Sequence, residues 1–136
     1  MLYQTRMTVP ANTPQDSPIT TSIEVEEDYV TYLGVYFPPG CCNLVHVRFR
    51  YGETQIFPHA NYEWLSGEGY LMGGRLLFKT PESPCRIYID AYSDDDTYDH
   101  TIIIYVEALK KEEVARPGVI ESIFTRLSKF LEKLGI

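Results

Sequence analysis

The chain has 136 residues, of which 44% are hydrophobic and 23% charged, and its formal net charge is −7. This length and composition are those of one globular domain rather than a disordered chain. The acidic charge argues against nucleic-acid binding, since contacts with phosphates need a basic surface. No apolar run is long enough to span a membrane. The first ten residues lack a basic stretch followed by an apolar core, so we expect no signal peptide and synthesis in the cytoplasm.

Charge and cysteines add two further constraints. Residues 1–109 carry 15 acidic and 6 basic side chains, whereas residues 110–136 carry 4 acidic and 6 basic. The acidic body and the mildly basic tail can therefore attract each other or different partners. The three cysteines (Cys41, Cys42 and Cys85) do not form a disulfide framework, and three reduced thiols fit a cytoplasmic origin.

Strand patterns dominate the chain up to residue 109. In NLVHVRFRYGE, the apolar side chains alternate with His46, Arg48 and Arg50, and this period of two indicates a half-buried strand. Seven other segments read as strands between proline, glycine and aspartate positions: LYQTRMTV, ITTSIEVEED, YVTYLGVYF, TQIFP, YLMGGRLLFKTP, CRIYIDAY and TIIIYVEAL. The spacing predicts an all-β fold, an antiparallel β-sandwich of about eight strands that is either a jelly roll or immunoglobulin-like.

The predicted organisation has three segments. Residues 1–17 hold the first strand and a proline-rich arm, and the stretch VPANTPQDSPITT, which runs past the end of this segment, has three prolines at intervals of four. Such an arm is extended, and it is either mobile or laid along a neighbour. Residues 18–109 form the sandwich. Residues 110–136 form a linker and a C-terminal amphipathic helix.

The tail sequence VIESIFTRLSKFLEKLGI has helical periodicity. Pro117 suits the first turn of a helix, and Gly135 suits its end. Alone in water such a helix is marginal, so its apolar stripe is expected to pack on another surface. The stripe consists of Ile120, Ile123, Phe124, Leu127, Phe130, Leu131 and Leu134.

Three predicted strands are apolar on both sides. If they are neighbours, one outer sheet face carries Tyr32, Tyr36, Tyr88, Tyr92, Ile103 and Tyr105. A solvated sheet face is normally polar, and a large exposed apolar patch marks a contact site. We therefore predict that these tyrosines and the helical stripe form interfaces, covered by the chain's own helix or by a partner.

The acidic stretch AYSDDDTYDHT contains Asp94, Asp95, Asp96 and Asp99. It lacks the glycine and the terminal glutamate of an EF-hand loop. We interpret it as a solvated hairpin loop whose aspartates bond their own backbone, with a calcium site as the alternative. Apart from this calcium alternative, no cofactor is predicted.

Other catalytic chemistry has little support in the sequence. No carboxylate pair is singled out, the histidines and cysteines lack zinc spacing, and there is no phosphate-binding loop, so we predict that the protein is not an enzyme.

The long loop FPHANYEWLSGEG sets Tyr62 and Trp64 between two strands. Trp64 is expected to plug one end of the core, anchor an interface or, with Tyr62, bind a ligand such as a sugar.

The stretches PITTSIEVEEDYVTYLGVYFPPGCCNLVHVRFRYGETQIFP, EWLSGEG and AYSDDDTYDHTIIIYVEAL, within residues 18–109, carry a resemblance. They resemble small β-sandwich virion proteins, the capsid decoration and auxiliary proteins of tailed viruses and prophages. The resemblance implies an oligomeric, virion-associated subunit that holds its neighbours with arms or tails. The helical tail does not match that pattern.

These observations favour a non-enzymatic structural subunit that forms a homo-oligomer and docks on a larger protein assembly such as a capsid. Its expected location is the virion, after synthesis in the host cytoplasm, and otherwise the cytoplasm. Nucleic acid is not an expected partner. The alternative is a ligand-binding β-sandwich, such as a carbohydrate-binding module that uses Tyr62 and Trp64 with calcium in the aspartate loop.

Overall fold

The computed structural model describes residues 1–60, 62–115, 129–130 and 132–135. Its strands are β1 (Leu2–Val9), β2 (Ile19–Val25), β3 (Tyr29–Phe37), β4 (Val45–Tyr51), β5 (Thr54–Phe57), β6 (Tyr70–Lys79), β7 (Cys85–Ser93) and β8 (His100–Leu109). They form two four-stranded antiparallel sheets, in the orders β1-β8-β3-β6 and β2-β7-β4-β5. The predicted antiparallel sandwich is confirmed.

The strand pairing distinguishes between the two predicted topologies. β1 pairs with β8, β2 with β7, β3 with β6 and β4 with β5, so the pairs are nested from the ends of the chain toward its middle. An eight-stranded hairpin rolled in this way is a jelly roll. Only β4 and β5 follow each other directly as paired neighbours, through a turn in which Gly52 has a φ of 56°.

The core lies between the inner faces of the two sheets. Alternation along each strand sends every second side chain inward, and the alternating apolar side chains of β3, β4, β7 and β8 are buried except Tyr51, which is half-buried. The largest fully buried side chains include Phe37, Phe49, Leu33, Ile87 and Ile102. The inner face of each sheet is therefore buried in the core, and the two outer faces are available for contacts with other molecules.

The N-terminal segment is attached to the sandwich. β1 pairs along its whole length with β8, so the sandwich includes residues ahead of Pro18. Part of the connector is also bonded to the β7–β8 loop, because the amide of Asn12 donates to the carbonyl oxygen of Asp95 at 2.8 Å. The amide of Ser93 donates in turn to the carbonyl oxygen of Thr13 at 3.0 Å.

The C-terminal tail is described only in part. Its first helix, α1, is a single turn, Lys111–Val114, and the amide of Lys111 donates to Asp28 Oδ2 at 2.7 Å. Phe130 and Leu134 of the predicted stripe are described, and both side chains are more than half exposed. Its other members, Ile120, Ile123, Phe124, Leu127 and Leu131, lie outside the described residues. No helix in the described ranges has the length and apolar character that a membrane crossing requires.

Candidate functional site

The predicted tyrosines occupy two different surfaces. Tyr32 and Tyr36 lie on β3 and Tyr105 on β8, in the first sheet, whereas Tyr88 and Tyr92 lie on β7, in the second. The expectation of one continuous face assumed that β7 neighbours β3 and β8, and this is wrong because β7 pairs with β2 and β4. The sandwich therefore presents tyrosines on both of its outer sides.

We call the outer side of the first sheet the tyrosine face. Residues paired across an antiparallel ladder point to the same side, so the register of β3 defines its rows. Tyr32 is paired with Arg75 and Glu107 on either side, and Tyr36 with Leu71 and Ile103. A hollow of about 360 Å³ opens on this face. It is lined by Leu2, Tyr32, Tyr36, Leu71, Tyr105 and Glu107.

Apolar side chains on this face are unusually exposed. Leu2 is 61% exposed, Leu71 50% and Leu77 64%. Leucine on a sheet surface gains nothing from contact with water, and burying one fully is worth about 1.5–3 kcal/mol. Leu2 and Leu71 line the same hollow, so this part of the face is suited to contact with another protein.

Between the two tyrosine rows, Gly34 pairs with Gly73. The ring of Tyr32 lies over this pair, since a Cβ at Gly34 would be 2.6 Å from the Tyr32 hydroxyl and a Cβ at Gly73 would also collide with it. The two glycines thus provide the space in which the ring rests flat on the sheet. This makes the centre of the tyrosine face low and smooth.

We call the outer side of the second sheet the arginine face. At its centre the buried carboxylate of Asp90 accepts hydrogen bonds from Arg48 Nε at 2.9 Å and Arg50 Nε at 2.8 Å. The Thr20 hydroxyl donates to the other carboxylate oxygen at 2.7 Å. Burial raises the pKa of Asp90, but the hydrogen bonds from Arg50, Thr20 and Arg48 outweigh it, so the pKa lies below its usual value.

Aromatic rings surround this ionic centre. The Arg48 guanidinium lies 4.4 Å from the centre of the Trp64 ring, within cation–π range. The Trp64 ring meets Tyr92 edge-on at 4.7 Å, and His46 stacks on Tyr92 at 4.4 Å. Trp64 thus lies on the outside of the sheet, and the expectation that it plugs the core is wrong.

The loop that carries Trp64 is held by a backbone bridge between Val47 and Leu65 and by one side chain. The amide nitrogen Nε2 of Gln55 lies 2.9–3.1 Å from the carbonyl oxygens of Pro58, Ala60 and Glu63. This anchoring supports Tyr62, whose φ is 70° and whose side chain is 89% exposed. An aromatic ring is therefore held out into solvent beside the arginine face.

In the described part of the chain, Arg48 lines three hollows on the arginine face, of which two are about twice as large as the third. One, of about 430 Å³, is lined by Pro18, Thr20, Arg48, Arg50, Glu53, Gln55 and Asp90. The other, of about 470 Å³, is lined by Gln15, Asp16, Arg48, Tyr62 and Trp64. Each falls in the range of small-molecule sites. Tyr62 and Trp64, the two predicted ligand residues, are brought together here.

The aspartate loop is not a hairpin, because β7 and β8 belong to different sheets and the loop crosses between them. Each predicted metal ligand has its own partner. Asp94 bonds His46, Asp95 bonds His100 at 2.7 Å and Asp99 accepts from the amide of Ala11.

The remaining aspartate, Asp96, accepts from the Thr97 hydroxyl at 2.8 Å. In the described ranges no three acidic, histidine or cysteine side chains converge as metal ligands would. The hydrogen bond from His100 holds the pKa of Asp95 below its usual value. The loop geometry therefore gives the calcium alternative no support. The side chains of Asp94 and Asp99 connect the loop to other segments, whereas those of Asp95 and Asp96 bond residues within the loop or at its end.

The cysteines lie apart from both outer faces. Burial raises the pKa of Cys41 to about 11, and burial also raises the pKa of Cys85. Reactive cysteines have lowered values instead, because the thiolate is the nucleophile. Cys42 is exposed, and its hydrogen bond with Glu68 raises its pKa. The thiol environments thus differ from those of cysteine enzymes.

Sequence reasoning missed the Asp90 cluster. The alternation in β4 places Arg48 and Arg50 outward, but their acidic partner lies on β7, about 40 residues further along the chain. The signal that could have found it is an isolated acid in the outward register of an otherwise apolar strand. Asp90 in CRIYIDAY is such an acid.

Comparisons with known proteins show no family for the chain. No family model matches it, and no curated protein matches it. Among solved structures it is similar to the pre-peptidase C-terminal domain of collagenase from Bacillus anthracis, at 11% identity and a TM-score of 0.45. That match covers 76% of this chain and 89% of the other.

A second likeness is to the infectious bursal disease virus VP2 subviral particle, at 10% identity and a TM-score of 0.33. It covers 87% of this chain but only 35% of the VP2 chain. Neither likeness is strong enough to carry an argument about function. The functional proposal therefore depends on the two outer faces.

Proposed function

We propose that the protein is a non-enzymatic structural subunit that pairs with a second copy of itself through the tyrosine face and docks on a larger shell, as virion-associated proteins do. The observation that carries the proposal is the exposure of Leu71 and Leu77 on the same face of β6, beside the tyrosines of β3 and β8. Exposed leucines next to aromatic side chains are typical of a contact surface.

The size of the face suits a weak, reversible dimer. A two-fold axis along β3 brings β8, β3 and β6 of the two copies face to face and leaves β1 at the rim. Three strands about 4.8 Å apart, each nine or ten residues long at about 3.3 Å per residue, make a face of about 450 Å². Two copies would bury about 900 Å², which is the size of a weak or transient interface. Sheets also stack face to face at about 10 Å with nearly aligned strands.

The pattern of side chains on the face is self-complementary. A two-fold axis nearly parallel to β3 exchanges β8 of one copy with β6 of the other, because both strands flank β3. In the Tyr32 row this exchange sets Glu107 opposite the second copy's Arg75, and the reverse pair forms as well. In the Tyr36 row it sets Ile103 opposite Leu71. Each charged side chain thus meets one of opposite charge, and each apolar side chain meets another apolar one. This complementarity favours a second copy of the chain as the partner on the tyrosine face.

Two observations support a role without catalysis. The buried thiols have raised pKa values, and the carboxylates of the aspartate loop are each engaged by a separate partner. The resemblance of residues 18–109 to capsid-associated sandwich proteins supports the shell as the larger partner and the virion as the location.

The test is the oligomeric state of Leu71→Arg, measured by light scattering during size exclusion. We expect the wild-type protein to be a dimer and the variant to dissociate at least about tenfold more readily, since a charge replaces a central apolar contact. Tyr98→Arg is the matched control, because Tyr98 is an exposed apolar side chain in the β7–β8 loop. In density gradients of particles from producing cells, wild type and control should band with the shell protein.

Other outcomes would overturn the proposal. A monomeric wild-type protein whose melting temperature falls in Leu71→Arg would mean that the chain's own tail covers the face. A dimer unaffected by Leu71→Arg would place the interface elsewhere. Absence of the chain from purified particles would remove the shell as partner.

A further inference from the structure

We propose that the arginine face is a binding site for a neutral carbohydrate, which lies across the two hollows on either side of Arg48. The site is on the opposite side of the sandwich from the tyrosine face. The two surfaces can therefore act independently, and a self-associated subunit would still display this one.

An aromatic platform is the first requirement for sugar binding, since the C–H faces of pyranose rings pack on aromatic rings. Tyr62 is 89% exposed and Trp64 is partly exposed, and both line the same hollow. An aromatic ring exposed to water has a large apolar area that is not packed against other atoms. A sugar ring packed against Tyr62 would bury part of that area.

Hydrogen-bonding groups for hydroxyls are the second requirement. A sugar hydroxyl both donates and accepts, so it is recognised by planar amides, carboxylates and guanidiniums held at fixed positions. The hollows present the amides of Gln15 and Gln55, the carboxylates of Asp16 and Glu53, and the hydroxyl of Thr20. Arg48 donates to Asp90 through Nε, so its two terminal nitrogens are not needed for that bond, and the residue lines both hollows.

The charge of the lining selects a neutral ligand. Two guanidiniums, on Arg48 and Arg50, are outnumbered by the carboxylates of Asp16, Glu53 and Asp90. Asp90 forms an ion pair with each arginine, and the two guanidiniums and three carboxylates together carry a net charge of −1. An anionic ligand would meet excess negative charge here, whereas a neutral polyol would not.

The site is built in advance of binding. Asp90 and Trp64 hold Arg48 from two sides, and Gln55 holds the loop that carries Tyr62. Side chains that are already ordered lose little conformational entropy when a ligand binds. Hollows of about 430 and 470 Å³ that share Arg48 suit a chain of sugar units rather than a single ring.

Tryptophan fluorescence tests the proposal directly, because Trp64 is the only tryptophan in the chain. The full-length protein is titrated with cellotetraose, maltotetraose, mannotetraose and chitotetraose, and with heparin tetrasaccharide as the anionic probe. We expect one or more neutral oligosaccharides to shift the emission with saturation. Tyr62→Ala should weaken that binding at least about tenfold, with its fold checked by circular dichroism.

Tyr98→Ala is the matched control, since it removes another exposed tyrosine that lines neither hollow, and it should bind like wild type. Leu71→Arg should also bind like wild type, so failure of self-association and failure of sugar binding are distinguishable. The proposal is overturned if no neutral oligosaccharide alters the emission at millimolar concentration. It is equally overturned if Tyr62→Ala binds unchanged, or if heparin tetrasaccharide binds most tightly.

Discussion

At Asp90, a carboxylate with 2% of its side chain exposed is shared by two guanidiniums that are themselves 24–29% exposed. Removing one member of such a buried cluster leaves charges without a partner, which costs about 3–5 kcal/mol when burial is complete. Because Arg48 and Arg50 keep some contact with water, we expect Asp90→Asn to lower the free energy of unfolding by about 2–3 kcal/mol at pH 7. Urea denaturation measures this.

The same variant has a defined pH dependence. The pKa of Asp90 is lower in the folded protein than in the unfolded chain, so its stabilisation is present above about pH 4 and is lost as the pH falls through the folded value. The stability difference between wild type and Asp90→Asn should therefore shrink in acid. Glu24→Gln is the control, because the Glu24–Arg86 pair is about half exposed and should cost under about 1 kcal/mol. A constant difference down to acid pH would contradict this account of Asp90.

Part of this residue-scale detail follows from the sequence. The period of two in β4 predicted that Arg48 and Arg50 point outward, and both lie on the outer side of the second sheet. The position of Asp90 between them depends on the pairing of β4 with β7, which no local pattern specifies. Trp64 was misplaced for a related reason, since its environment is supplied by Arg48 and Tyr92 from two other strands.

At the scale of the element, β3 and β6 depend on two glycines beneath one tyrosine ring. A Cβ at Gly73 would meet both the Tyr32 hydroxyl and, at 2.8 Å, the carbonyl oxygen of Leu33. A Cβ at Gly34 would meet the Tyr32 side chain, which can move. We expect Gly73→Ala to lower the free energy of unfolding by about 1–3 kcal/mol and Gly34→Ala to cost less.

A double-mutant cycle with Tyr32→Ala, followed by thermal unfolding, separates the two collisions. Removing the ring should relieve Gly34→Ala fully and Gly73→Ala only in part, because the Leu33 carbonyl remains. Complete relief at both glycines would show that the backbone contact does not matter.

The strands themselves were easier to predict from the sequence than the way in which they pair in the sheets. Alternation and turn residues predicted eight strands, and eight are present in the described residues. The assumed hairpin at Asp94–Asp99 was wrong because successive strands in a jelly roll often belong to opposite sheets. Pairs such as β1 with β8 join residues about 100 positions apart, and a local pattern carries no information about them.

At the scale of the whole molecule, the jelly roll distributes the outward-facing aromatic and apolar side chains over two separate surfaces, the tyrosine face and the arginine face. The hollow of the tyrosine face is lined by leucine and tyrosine with one carboxylate, whereas the hollows of the arginine face are lined by charged, amide and aromatic side chains. A sheet surface of the first kind favours stacking on another sheet, and one of the second kind favours a small polar ligand. Their separation allows one subunit to assemble through one side and to bind through the other.

The central claim is that two copies pair about an axis along β3, and a charge exchange tests it most directly. Sedimentation equilibrium would compare the wild-type protein with Glu107→Arg, Arg75→Glu and the double variant. Each single change sets like charges opposite each other twice, so we expect the dimer to weaken by about 1–2 kcal/mol, or about five- to thirtyfold. The double variant should restore wild-type affinity. A wild-type monomer, or a double variant weaker than both single variants, would contradict the account.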